Sequence, residues 1–208
     1  MSRLWISVVL LVAAGRLARA DCAQDAAEIR GQLAHDAAVA HRWNLGWSLG
    51  FTAAAVVQLG AAPTGWFGHE LTSGLWINGG KAAIAAAFRW ATPLRISVPA
   101  ERADACADRD ALRAALAEAG RAERLTFWMT HVGGFALNLA GALILWREVS
   151  WQAGAESFAI SYPVGLANAY TQPRGAWHRW RDTRDAWAPT VSVIARRDGA
   201  FVSLSSSF

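Results

Sequence analysis

Two regimes of polar and apolar positions alternate along this chain. From residues 22 to 41 and again from 106 to 124, charged side chains are interleaved with Ala and Leu. From 43 to 62, 73 to 92, 125 to 146 and 151 to 170, apolar residues dominate, and charges inside the runs are few. In the first regime Ala26, Ile29, Leu33, Ala37 and Ala40 recur at spacings of three and four, as do Leu112, Leu116 and Ala119. That spacing puts one narrow apolar stripe on each helix and predicts a two-helix seam of coiled-coil type. In the second regime each run is about 20 residues, and at ~1.5 Å per residue that spans a hydrocarbon core of ~30 Å. The expected fold is an all-α membrane protein: a four-helix bundle of two parallel helical hairpins with extended outer helices.

A leader precedes this pattern. Arg3 is followed by an apolar run from Leu4 to Gly15, and Ala18-Arg19-Ala20 is an A-x-A cleavage site. Residues 1–20 are read as a signal peptide, with an uncleaved anchor as the alternative. In either case Asp21 emerges outside the cytoplasm. Cys22 does not read as a lipidated cysteine, because Asp21 precedes it.

The helical part, residues 21–188, reads as a duplication at an offset of 84, with repeat one at 22–99 and repeat two at 106–188. Cys22 and Cys106, the only cysteines, define that offset. Each opens a charged helical stretch, and each stretch runs directly into an apolar segment. Gly50-Phe51 and Gly134-Phe135 fall at the same offset, and a second apolar segment follows in each unit. In an oxidising compartment the cysteines are expected to form a structural disulfide clamping the free end of the seam. Gly46 and Gly50 form a GxxxG, and Gly133, Gly134 and Gly141 line the third span with Ala136 and Ala140. In lipid such small positions allow close helix contact.

Composition agrees with a membrane setting: 54% of residues are hydrophobic, 17% are charged and twelve are Trp. The net charge of +4 is carried almost wholly by Arg. With no basic–aromatic recognition module, it points to anionic membrane surface rather than nucleic acid. The leader places both termini in the periplasm. The positive-inside rule points the other way, since Arg147 is the sole Arg or Lys in the inner turns while Arg102, Arg109, Arg113, Arg121 and Arg124 lie outside. The leader is the more specific signal and favours the inner membrane. The alternative is the outer membrane, where that rule does not act.

Counting inward from the outer ends of the spans, Lys81, Asn138 and Glu156 fall at similar depth, ~18–21 Å, with Asn78 and Gln58 close by. Ionisable groups at such depth need partners. The expected arrangement is a mid-membrane polar layer in which Lys81 pairs with Glu156. His131 reads as a packing residue. After the last span, Trp177, Arg179, Trp180, Arg181 and Arg184 suggest an interfacial helix. Residues 189–208 read as a β-hairpin turning at Asp198-Gly199, with Val193 opposite Leu204 and Ala195 opposite Val202.

The final alternating strand, ending in Phe208, resembles the last strand of outer-membrane barrels over about ten residues, but two strands cannot close a barrel. The layout as a whole resembles uncharacterised bacterial envelope membrane proteins. The shared features are a leader, paired apolar hairpins, a stretch like Thr171–Trp177 (TQPRGAW) and a short β tail ending in Phe. That resemblance implies no activity. No G-x-S-x-G, HExxH or phosphate loop occurs, and Gly79-Gly80-Lys81 lacks the rest of a Walker pattern. No catalytic residue, metal or cofactor is therefore expected. The expected function is a structural or interaction role in the envelope, with the bilayer and a second copy or another envelope protein as partners. The alternative is a small pore or transporter subunit using the polar layer.

Overall fold

The computed structural model describes the backbone of residues 2–186, 190–196 and 199–205 and the side chains of residues 20–182. The architecture is all-helical apart from a short tail. Helix α1 (Ser2–Ala61) runs unbroken through Ala20-Asp21. A 3₁₀ turn (Ala62–Thr64) closed by Gly65, in left-handed backbone at φ 74°, reverses the chain into α2 (His69–Ala91). Glycine takes this conformation without the Cβ clash that penalises other residues. Helix α3 (Ala105–Glu148) begins at Asp104, whose side chain accepts a hydrogen bond from Ala107 N at 2.8 Å. It turns into α4 (Trp151–Tyr170), capped by Ser150. Each half is thus a long helix followed by a shorter antiparallel one. Helix α5 (Gly175–Ala186) follows.

Helices α1 and α3 meet along the stripe expected from the sequence. Ala26, Leu33, Leu112, Leu116 and Ala119 are buried together, with Ile29 packed at the edge. Cys22 and Cys106 stand at disulfide distance at the free end of this seam, with Cα atoms 5.0 Å apart. The connection from α2 to α3 is extended and returns along α1. Asn44 holds it by both amide groups, donating to Leu94 O (2.8 Å) and accepting from Leu94 N (3.0 Å). Farther along, Arg30 donates to Pro99 O (2.6 Å) and to both carboxylate oxygens of Asp108 (2.8 and 2.9 Å). The hydrogen bonds and charge of Arg30 hold the Asp108 carboxyl below the usual carboxylate range.

The other end of the bundle reverses this order. Among the described residues, every exposed large apolar side chain except Val98 lies within 45–90 or 125–170. The buried polar side chains Ser48, Lys81, Arg89, Thr130, Asn138, Ser157 and Asn168 lie within the same stretches. Two helical stretches, Ala20–Thr64 and Ala105–Glu148, are long and apolar enough to cross a membrane by length and composition. Helices α2 and α4 carry Lys81, Arg89 and Glu156 and do not reach that threshold.

Strands β1 (Thr190–Arg196) and β2 (Gly199–Ser205) pair antiparallel. Their register differs from expectation. Val193 faces Val202, Ala195 faces Ala200 and Arg196 pairs with Gly199. This register sets Ile194 opposite Phe201. Trp187, Asp198 and Phe208 lie outside the described residues, as does the side chain of Arg184.

Candidate functional site

The two hairpins part from each other to leave a cleft of about 800 Å³ between α1, α2, α3 and α4. Its walls are mostly apolar, among them Phe51, Ile84, Leu137 and Val164, and Gln58, Asn78, Lys81, Arg89, Asn138 and Asn168 punctuate them. Several wall residues, including Trp128, Val132 and Ile160, are also exposed, so the cleft opens sideways from the bundle.

Lys81 lines it from α2. Its stem lies on Gly141, where a Cβ would come within 2.6 Å of Lys81 Cδ. Its ammonium donates to Ser161 Oγ (2.9 Å), Ser157 Oγ (3.2 Å) and Asn138 Oδ1 (3.4 Å). Ser157 in turn donates to Asn78 Oδ1 (2.8 Å). Three donors thus meet three neutral oxygens. Lys81, Asn138 and Asn78 come together, and Gln58 lines the same cleft. Glu156 does not join them. It is exposed, one residue and therefore ~100° around α4 from Ser157, and the expected Lys81–Glu156 pair is absent among the described residues. The phase of α4 is set by Gly154, which packs against Ala142 O and Trp146 and carries Ser157 and Ser161 inward at spacings of three and seven.

Arg89 lies two helical turns from Lys81 and is 2% exposed. Its Nη2 donates to Thr130 Oγ1, and its guanidinium carbon sits 4.4 Å from the Trp43 ring centroid, a cation–π distance. Arg89 Nη1 and Asn168 Oδ1 are buried without a hydrogen-bond partner among the described residues. Arg89 is not among the residues expected in the polar layer. The available signal was its spacing of eight from Lys81, which places both on one face of α2.

A second polar cluster lies beyond the cleft, where α5 docks on the head, the α1–α3 seam and its Cys22–Cys106 end. Thr171 Oγ1 accepts from Trp43 Nε1 (3.3 Å) and Trp47 Nε1 (3.1 Å). Gln172 donates to Glu123 O (2.6 Å), and the Glu123 carboxylate accepts from Trp177 N (2.7 Å) at the start of α5. Burial pushes Glu123 up to about 7, against the pull of the Trp177 and Ala176 backbone N–H groups. Gly175 leaves room for Asp36, which pairs with Arg179. Gly120 lies directly under Trp180. Helix α5 is therefore docked on α1 and α3, with Trp177, Arg179 and Trp180 half-buried, because two Cβ-less positions let it approach. Arg181 alone of the described interfacial set is exposed, beside Asp182.

The expected small-residue contacts are also redistributed. Gly46 and Gly50 face outward with no neighbour within 4 Å of an added Cβ, while Gly79, Gly141 and Gly154 make the close approaches. His131 stacks with Phe127 at 5.9 Å between centroids and meets Tyr170 edge-on. Comparisons with family models, with curated proteins and with solved structures find no match.

Proposed function

We propose that this chain is an integral membrane protein of a bacterial envelope, without catalytic activity of its own, whose disulfide-clamped head serves as a structural or interaction module. The observation that carries the reading is the inversion of side chains in the apolar end: outward Leu, Val, Ile and Trp, inward Lys, Arg, Asn and Ser. In water that arrangement would leave a large apolar surface uncovered. In lipid it satisfies the polar groups inside and leaves the apolar ones where they are stable. Trp43, Trp90, Trp128 and Tyr170 gather where the head begins, consistent with an interfacial aromatic belt. With the leader removed, the head, the cysteines and the β tail lie in the periplasm.

The experiment is fractionation followed by alkaline carbonate extraction, with impermeant thiol labelling of reduced whole cells or spheroplasts. Retention in the membrane pellet with Cys22 and Cys106 labelled from outside is expected. Release into the supernatant overturns the reading.

The Lys81 cluster favours a second reading, a small pore or transporter subunit, because its polar groups line an internal surface shared by both hairpins. Against it, Glu156 faces away, and no Asp or Glu contacts Lys81 among the described residues. The double variant Lys81→Met, Glu156→Met separates the two. Loss of a transport phenotype with folding and co-purification intact supports the pore.

A further inference from the structure

The cleft has an uneven charge inventory. Lys81 and Arg89 line it, and no Asp or Glu is among its described lining residues. Neither cation has an ion pair among the described residues. The two differ in satisfaction. Lys81 spends its three donors on Asn138, Ser157 and Ser161, whereas Arg89 keeps Nη1 unpartnered. A buried guanidinium with an idle N–H is costly unless something accepts from it. Arg89 also lines a second hollow of about 480 Å³ on the head side, bordered by Asn44, Ser48 and Arg95 and likewise free of acidic lining residues. It is thus a side chain shared by an apolar slot and a hollow of mixed lining.

We propose that the cleft binds an anionic phospholipid drawn from the surrounding bilayer. One acyl chain lies in the apolar slot along Ile84, Val132 and Ile160, and the phosphate sits on Arg89 with the rest of the headgroup toward Arg95. The inference rests on the membrane reading. Three features match the occupant. The slot opens sideways, which admits a chain from lipid. Its volume falls in the ~300–1,000 Å³ range of small-molecule sites. Its free donor, Arg89 Nη1, is a guanidinium N–H, which makes a charge-assisted hydrogen bond to a phosphate oxygen. Lys81, about 12 Å deeper along α2, adds positive potential without competing for the headgroup.

The test uses the full chain purified in a neutral detergent, with binding followed by Trp fluorescence, since Trp43 and Trp128 adjoin the site. The probes are phosphatidylglycerol, phosphatidylcholine with the same acyl chains, and inorganic phosphate. Phosphatidylglycerol is expected to bind at least about tenfold more tightly than phosphatidylcholine, and inorganic phosphate not to compete. Arg89→Gln is expected to erase the preference. Ile160→Trp, which fills the slot from its exposed edge and leaves both cations in place, is expected to weaken both lipids. Equal binding of the two lipids, or unchanged affinity in Ile160→Trp, overturns the proposal even if Arg89→Gln fails to fold. Competition by inorganic phosphate alone makes the ligand a free anion and overturns it as well. A chain that needs no detergent to stay in solution refutes the membrane reading instead, so the two failures are distinguishable.

Discussion

Around Leu33 and Leu112 the side chains that touch are aliphatic, and Asp110, Arg113 and Glu118 face outward; around Lys81 the touching side chains are Asn and Ser, and the outward ones are Val, Ile and Trp. The same two helices, α1 and α3, run through both regions, so the difference does not come from secondary structure. It comes from which groups each environment leaves unsatisfied. In the head, aliphatic contact removes apolar area from water at about 25 cal/mol per Å². In the apolar end that drive is missing if lipid surrounds it, and hydrogen bonds and close Gly contacts hold the helices instead. Among the described residues the head also carries two kinds of long-range tie not found at the other end, the Cys22–Cys106 pair at disulfide distance and the Arg30–Asp108 ion pair.

The contrast can be broken in graded steps. The largest effect is expected from the double variant Cys22→Ser, Cys106→Ser. Opening a loop of 84 residues is worth about 4–5 kcal/mol by loop entropy. The loss should appear as a lower melting temperature in detergent, matched by reductant on the native chain. An unchanged melt would mean that the head does not depend on its clamp. Next, Leu33→Ala, at a position 0% exposed, should cost roughly 3 kcal/mol. Val57→Ala in the apolar end, 68% exposed, should change detergent stability by under about 0.5 kcal/mol. Similar costs at the two sites would erase the distinction between the regions.

A third effect is smaller and depends on pH. Glu123 is pushed up from 4.5 to about 7 by burial. Between those values the folded chain holds a proton there that the unfolded chain has released. The contribution of this group therefore falls as pH rises from about 5 to 7, and levels off above. The swing should be on the order of 1–2 kcal/mol once partial solvent screening is allowed for. Glu123→Gln should flatten the slope between thermal melts at pH 5 and pH 8; a variant with the native slope would remove Glu123 as its source. Smallest of all, Arg113→Ala breaks an exposed pair with Asp25, in which both side chains are about half exposed. It should cost within about 0.5 kcal/mol, read by the same melt.

How much of this was legible in the residues differs between the two regions for a physical reason. The seam of the head could be read from the spacing of Ala26, Leu33, Leu112 and Leu116, because aliphatic burial in water leaves a periodic trace. The four helical segments were legible by length. The partners of Lys81 were not, because depth counting fixes height along a helix and says nothing about rotation. Glu156 and Ser157 share a height and differ by ~100°, and Gly154 decides which of them faces inward. The docking of α5 was hidden for another reason. Trp177 and Trp180 look alike whether they lie on lipid or on a helix, and the deciding residues, Gly120 and Gly175, carry no side chain. The return of the linker along α1 depends on Asn44 meeting Leu94, a pairing with no local signature.

The unbroken course of α1 sets a length scale of its own. From Trp43 to Cys22 the helix rises by 21 residues, which at ~1.5 Å each is about 30 Å. If Trp43 marks the headgroup layer, the cysteine clamp stands that far from the lipid on a mast with no joint. A push or twist applied by a partner at the tip therefore has nowhere to dissipate before it reaches the base, where Trp43 leans on Arg89 at the mouth of the cleft.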